Sequence, residues 1–171
     1  NILNYQDIFN KKKILEISCG CGLVSFTLSL INTEIVLATD LEDILESNTK
    51  NNLILNNLQN KNNIKLVPLE WNNQEHIKNI FNNYPELDYI ILSECLYEEA
   101  PFDKLLLTLI KLAKFYTKCQ ILFCYKKRYI FQDECIEKLK KYFNIENIDR
   151  KEIYHDFRDK DIYQFFKIIL K

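Results

Sequence analysis

Glycine and methionine are the two clearest shortages in this 171-residue sequence. Only Gly20 and Gly22 are present, and there is no methionine at all, initiator included. The chain is therefore expected to be a trimmed or processed product. Neither sign of charge is in excess: 23 lysines and arginines stand against 24 aspartates and glutamates, for a net charge of -1. A dedicated nucleic-acid binder usually carries a clear basic excess, which is missing here. No apolar run approaches the roughly 18 residues needed to span a bilayer, and residues 1–5 have no basic flank or apolar core of a signal peptide. His76 and His155 are the only histidines and no C-x-x-C pair occurs, so no metal site is expected. The six cysteines (Cys19, Cys21, Cys95, Cys119, Cys124, Cys135) sit mostly in apolar segments. They read as reduced thiols in a cytoplasmic or nuclear protein, not as a disulfide framework.

What is present argues for one folded domain. The length suits a single unit able to bury most of its apolar surface, and a chain 47% hydrophobic and 13% aromatic is not disordered. Lysine far outnumbers arginine, and asparagine and isoleucine are abundant, as in an AT-rich coding background. Asparagine patterns such as Asn48, Asn52 and Asn56 on one helix face are discounted for that reason.

Strands are predicted over residues 12–18, 34–39, 64–69, 87–92 and 120–125 from their apolar runs. The run at 87–92 is continuous enough for burial on both faces. Helices are predicted over 23–31, 43–57, 74–81 and 131–142, and after Pro101, where Phe102, Leu105, Leu106, Leu109 and Ala113 share one face. Pro101 suits a first helical turn. Two late strands, 145–154 and 162–170, have no helix between them and are expected to be antiparallel. This alternation predicts a three-layer α/β sandwich with a mainly parallel sheet. Both glycines fall in the first strand-to-helix turn, which in such folds faces the ligand crevice. There the turn admits a ligand close to the backbone and aims N–H groups at it. Asp40 ends the second strand 20 residues after Gly20, where a carboxylate can accept both hydroxyls of a ribose.

The segment Glu16-Ile17-Ser18-Cys19-Gly20-Cys21-Gly22 resembles the E-x-G-x-G-x-G motif of class I, seven-stranded S-adenosylmethionine-dependent methyltransferases. Thr39-Asp40-Leu41 is similar to their second motif. Leu69-Glu70-Trp71 resembles the Leu-Asp-Trp element of one branch, and Ser93-Glu94-Cys95-Leu96-Tyr97 its D-x-x-Y motif. That branch is the non-SET protein-lysine methyltransferase group, which modifies chaperones, AAA ATPases and translation factors. The resemblance implies a Rossmann-like seven-stranded sheet with an antiparallel C-terminal strand, S-adenosylmethionine as cofactor, and methyl transfer to a protein side-chain nitrogen, lysine first. It implies that Ser18, Cys19 and Gly20 line the methionine portion of the cofactor. Asp40 and Leu41 would lie at the ribose, Trp71 against the adenine, and Ser93 beside it. Glu94 and Tyr97 would frame the opening where the acceptor nitrogen enters.

Three departures matter. Ser18 replaces the first glycine, so its backbone must avoid positive φ or tolerate it at a cost. Glu94 replaces an aspartate, and the glutamate form resembles the branch that methylates protein histidine. Lysine members also carry an upstream tryptophan-bearing segment over the cofactor. Residues 1–171 are thus expected to be a single methyltransferase domain lacking that segment. The alternatives are a protein-histidine enzyme, a small-molecule or nucleic-acid methyltransferase, and an inactive cofactor-binding scaffold. Glu16 reads as a structural acceptor near the turn, and the run 126–128 as a solvated loop or a contact for an acidic partner. A protein substrate, no membrane partner and a monomeric state are expected.

Overall fold

The computed structural model describes residues 5–98, 100–148 and 163–171. It opens with a short helix, α1 (Tyr5–Phe9), that the hydrophobic pattern does not announce. There follow β1 (Lys13–Ile17), α2 (Leu23–Leu30) and β2 (Ile35–Asp40). The next helical stretch comes in three pieces: α3 (Glu42–Ile44), a π turn (Leu45–Thr49) and α4 (Lys50–Leu55). The order continues with β3 (Ile64–Pro68), α5 (Gln74–Asn83), β4 (Tyr89–Ser93), α6 (Phe102–Phe115) and β5 (Gln120–Lys126). It closes with α7 (Phe131–Lys140), β6 (Phe143–Asn147) and β7 (Tyr163–Leu170).

The seven strands form one sheet in the order β3-β2-β1-β4-β5-β7-β6. Strands β1 to β5 pair in parallel, and β7 runs antiparallel between β5 and β6. This is the mainly parallel α/β sandwich with an antiparallel C-terminal strand that the sequence predicts. Because β1 lies between β2 and β4, successive connections leave it in opposite directions, and a crevice opens at the carboxyl ends.

Alternation along β1 assigns the layers. Leu15 and Ile17 join the larger core, which holds Ile77 and Ile80 of α5, Leu105 and Leu109 of α6, and Ile136 and Leu139 of α7. Ile14 and Glu16 point to the other layer, where Leu28 and Ser25 of α2 meet them. Asn73 caps α5 by accepting from the N–H groups of Glu75 and His76 at 3.0 and 3.2 Å.

The structure corrects several boundaries. β4 is fully buried on one face only: Tyr89 and Ile91 are half-buried, covered on that side by Phe9, whose ring meets Tyr89 edge-on at 5.1 Å. The expected helix over 131–142 stops at Lys140, and Phe143, 1% exposed, already pairs with Leu170 in the β6–β7 ladder. β6 therefore starts two positions before the expected 145. It is observed to Asn147, and residues 149–154 of the expected strand lie outside the described residues, as do residue 162, Glu99 and His155. Pro101 stands immediately before α6, not inside its first turn.

The two glycines make unequal demands. A Cβ at Gly22 (φ +88°) would lie 2.4 Å from the Phe26 ring, whereas one at Gly20 (φ +54°) meets nothing within 4 Å. Gly22→Ala adds overpacking to left-handed strain and is expected to cost about 3 kcal/mol, against about 1 kcal/mol for Gly20→Ala. Urea unfolding of both variants checks the order; equal losses would mean that the Phe26 ring simply moves aside.

Candidate active site

The site is built from the ends of four parallel strands. β1 ends at Ile17, and Ser18 turns into left-handed backbone at φ +57°. The cost foreseen for a non-glycine residue is thus incurred, at about 1–2 kcal/mol. Its hydroxyl accepts the indole N–H of Trp71 at 3.1 Å. Beyond it the chain runs through Gly20 and Gly22 into α2. Glu16, one residue before the end of β1, is 2% exposed and accepts from both the backbone N–H and the hydroxyl of Ser25 in α2. It ties the first strand to the helix that follows, the structural role expected of it. Burial pushes its carboxyl up to about 7, against the opposing effect of the Ser25 hydrogen bonds.

Asp40 ends β2. One carboxylate oxygen accepts from Gly20 N–H and the other from Leu41 N–H, both at 2.8 Å. Two of the roughly four lone-pair positions of the carboxylate are then used, and two remain to accept hydroxyl donors. Trp71 follows β3 and is 8% exposed. Its N–H is committed to Ser18, so the ring is held as a wall. Tyr97 is half-exposed, with its ring centroid 6.4 Å from that of Trp71.

These groups meet in one cavity of about 190 Å³, to which Ser18, Asp40, Leu41, Trp71 and Tyr97 all contribute. Other predicted residues stand elsewhere. Gly20 reaches the site through its N–H on Asp40. Cys19 is 6% exposed and packs with Ala38 and Leu45 behind the turn; burial pushes its thiol up to about 12. Ser93 ends β4, half-buried. Glu94 is in left-handed backbone at φ +59°, and its carboxylate is turned toward the end of β5. There it accepts from Lys126 N–H at 2.7 Å and pairs with the Arg128 guanidinium at 2.6 Å. The acid expected to face the incoming nitrogen is instead engaged by the segment after β5.

That segment is held a second time by Gln132 of α7, which is fully buried. Its carbonyl oxygen accepts from Arg128 and Tyr129 N–H, and its amide donates to the carbonyls of Leu96 and Lys126. Gln132 was not foreseen, because a lone glutamine on a helix carries no sequence signal. Glu70 and Lys104 also line the cavity. Glu70 lies inside a quoted motif, whereas Lys104 looks like one more surface lysine. Asn52, discounted on composition, donates to the Cys21 carbonyl at 3.2 Å.

The raised carboxyl of Glu16 makes stability pH-dependent. The folded state holds the Glu16 proton more tightly than the unfolded chain does. Its contribution is therefore fully present below about pH 4.5 and is lost as pH rises through about 7. Glu16→Gln is expected to remove a fall of about 3 kcal/mol between those limits. Urea titrations of both proteins at pH 5 and pH 8 read this out, and identical pH slopes would refute it.

Known proteins agree with this architecture. A family model described as lysine methyltransferase matches residues 4–142. The chain is 31% identical over 105 residues to methyltransferase-like protein 23 of Dictyostelium discoideum, covering 56% of this chain and 41% of that protein. It is 30% identical over 104 residues to the electron transfer flavoprotein beta subunit lysine methyltransferase of Danio rerio, covering 61% and 36%. The chain thus spans well under half the length of these curated relatives. Among solved structures, it is similar to a SAM-dependent methyltransferase from Aquifex aeolicus, with a TM-score of 0.64 and 12% identity over 99% of this chain and 88% of that one. It is also similar to a Streptococcus mutans protein in complex with SAH, with a TM-score of 0.59 and 15% identity over 96% of each chain. At such identities the structural likeness is one of fold. The family model, in contrast, covers β1 through α7 and every site residue named above, and the chain belongs to the lysine methyltransferase family.

Proposed function

We propose that this chain transfers a methyl group from S-adenosylmethionine to a side-chain nitrogen of a protein, with lysine as the acceptor. One observation carries the reading: the cavity at the strand ends gathers Ser18, Asp40, Leu41, Trp71 and Tyr97. Family membership and the named lysine methyltransferase from Danio rerio support the acceptor. The SAH complex of the Streptococcus mutans neighbour supports the cofactor.

The residues fit such a cofactor. Asp40 keeps two acceptor positions for a pair of ribose hydroxyls, and the pinned Trp71 ring offers a flat wall to an adenine. When bound, S-adenosylmethionine supplies a methyl group on a sulfonium, open to in-line displacement. The chain's part is alignment, which is worth several kcal/mol in such reactions. The Tyr97 ring at the cavity offers its face to an incoming ammonium. A lysine enters charged, with a reference pKa near 10.4, and must release a proton before it attacks; bulk water at the mouth accepts it. Glu94 acts by holding residues 94–97 against the end of β5 through Lys126 and Arg128. The six unpaired thiols favour a reducing compartment, cytoplasm or nucleus.

Titration calorimetry with S-adenosylhomocysteine is expected to give binding that Asp40→Ala weakens by at least about tenfold, through loss of its charge-assisted contacts to the ribose. No binding to the unaltered chain would sink the proposal. Incubation of a lysate with methyl-labelled cofactor should then yield methyllysine after hydrolysis, with Tyr97→Ala at background and its cofactor affinity retained. Label recovered as methylhistidine would move the acceptor to the histidine alternative.

A further inference from the structure

The helical stretch after β2 is regular except at the π turn (Leu45–Thr49), which faces the glycine turn. Such turns are rare and cluster at functional sites. Thr49 ends it and is fully buried. Its hydroxyl lies 2.7 Å from the Gly20 carbonyl oxygen and 3.4 Å from that of Ile44. A hydroxyl has one proton to give, and the shorter contact takes it. The Cys19 sulfur lies 3.8 Å from the same oxygen, so the thiol is the donor there. A short relay results, from the Cys19 thiol to the Thr49 hydroxyl to the Gly20 carbonyl. Less than a turn further along, the Asn52 amide donates to the Cys21 carbonyl at 3.2 Å and to Asn48 at 3.1 Å. Two successive carbonyls of the turn are thus drawn toward the helix. On its other side, the Gly20 N–H is held by Asp40 at 2.8 Å.

Beside the Gly20 Cα there is open space, since a Cβ there would touch nothing within 4 Å. A glycine turn without steric neighbours is free to rotate its peptide planes, and hydrogen bonds must hold it. We propose that Thr49, assisted by Asn52, is a positioning residue for cofactor binding. It holds the Gly20 carbonyl, and so the orientation of the Gly20–Cys21 plane about the same Cα whose preceding plane gives its N–H to Asp40; with both planes fixed, the carboxylate that binds the ribose is preset. This rests on the cofactor reading given above. The benefit is preorganisation: the ordering of the turn is completed before the ligand arrives.

Calorimetry of the full chain with S-adenosylhomocysteine tests it, alongside thermal unfolding without ligand. Thr49→Val keeps the shape and removes the hydroxyl, and is expected to raise Kd about tenfold. Thr49→Ser restores the hydroxyl and is expected to return Kd to within about threefold of the unaltered chain. Asn52→Ala, at a half-exposed position that does not endanger folding, is expected to raise Kd about threefold. A Thr49→Val chain that loses thermal stability but keeps the unaltered Kd overturns the proposal, as does a serine variant no tighter than valine. If Thr49→Val does not fold, Asn52→Ala decides, and an unaltered Kd there overturns it. Failure of the unaltered chain to bind overturns the cofactor reading itself, and this inference with it.

Discussion

The carboxylate of Asp40 holds the carboxyl edge of the sheet together. Its two oxygens receive the N–H groups of Gly20 and Leu41, and so join the turn after β1 to the first residue beyond β2. A charged acceptor makes these bonds roughly twice as strong as neutral ones. Behind that contact stand Thr49 and Glu16. The first holds the outer side of the turn, and the second ties β1 to α2. The turn is thereby gripped from β2, from the π turn and from the helix it leads into.

Backbone strain is built into the same edge as well. Ser18 and Glu94, at the ends of the adjacent strands β1 and β4, both adopt positive φ without being glycine. Each gains a return for it. Ser18 presents its hydroxyl to the Trp71 indole, and Glu94 presents its carboxylate to Lys126 and Arg128. Strained residues persist where their surroundings over-determine them, and such places are commonly functional. Ser18 thereby fixes the indole wall of the cavity, and Glu94 anchors the loop that brings Tyr97 to it.

The fold was legible because its signals are local. Apolar runs mark β1 to β5, and the only two glycines mark the turn. Contacts between distant segments were not legible. The inward face of Asn52 was masked by a composition rich in asparagine. Gln132 satisfies four backbone groups from two loops, which nothing in its neighbourhood announces. The partner of Glu94 lies 34 positions away, in a run of three basic residues where Lys127 pairs with Asp133 instead. Motif likeness located Cys19 in the right turn, but the pleat of β1 and the packing of Leu45 decided that its thiol points inward. Both faces of β4 read alike in the sequence, yet one of them is covered by Phe9 of the short helix α1 and stays half-buried.

The position of β7 has a consequence for synthesis. It is the last of the seven strands to be made, and it lies inside the sheet between β5 and β6. While a ribosome is still extending the chain, β5 ends the parallel array with an open edge, and β6 has no partner at all. Unpaired edges invite pairing with other chains. The nascent protein is therefore most exposed to aggregation in the interval between β5 and β7, and a pause in translation there would lengthen that exposure.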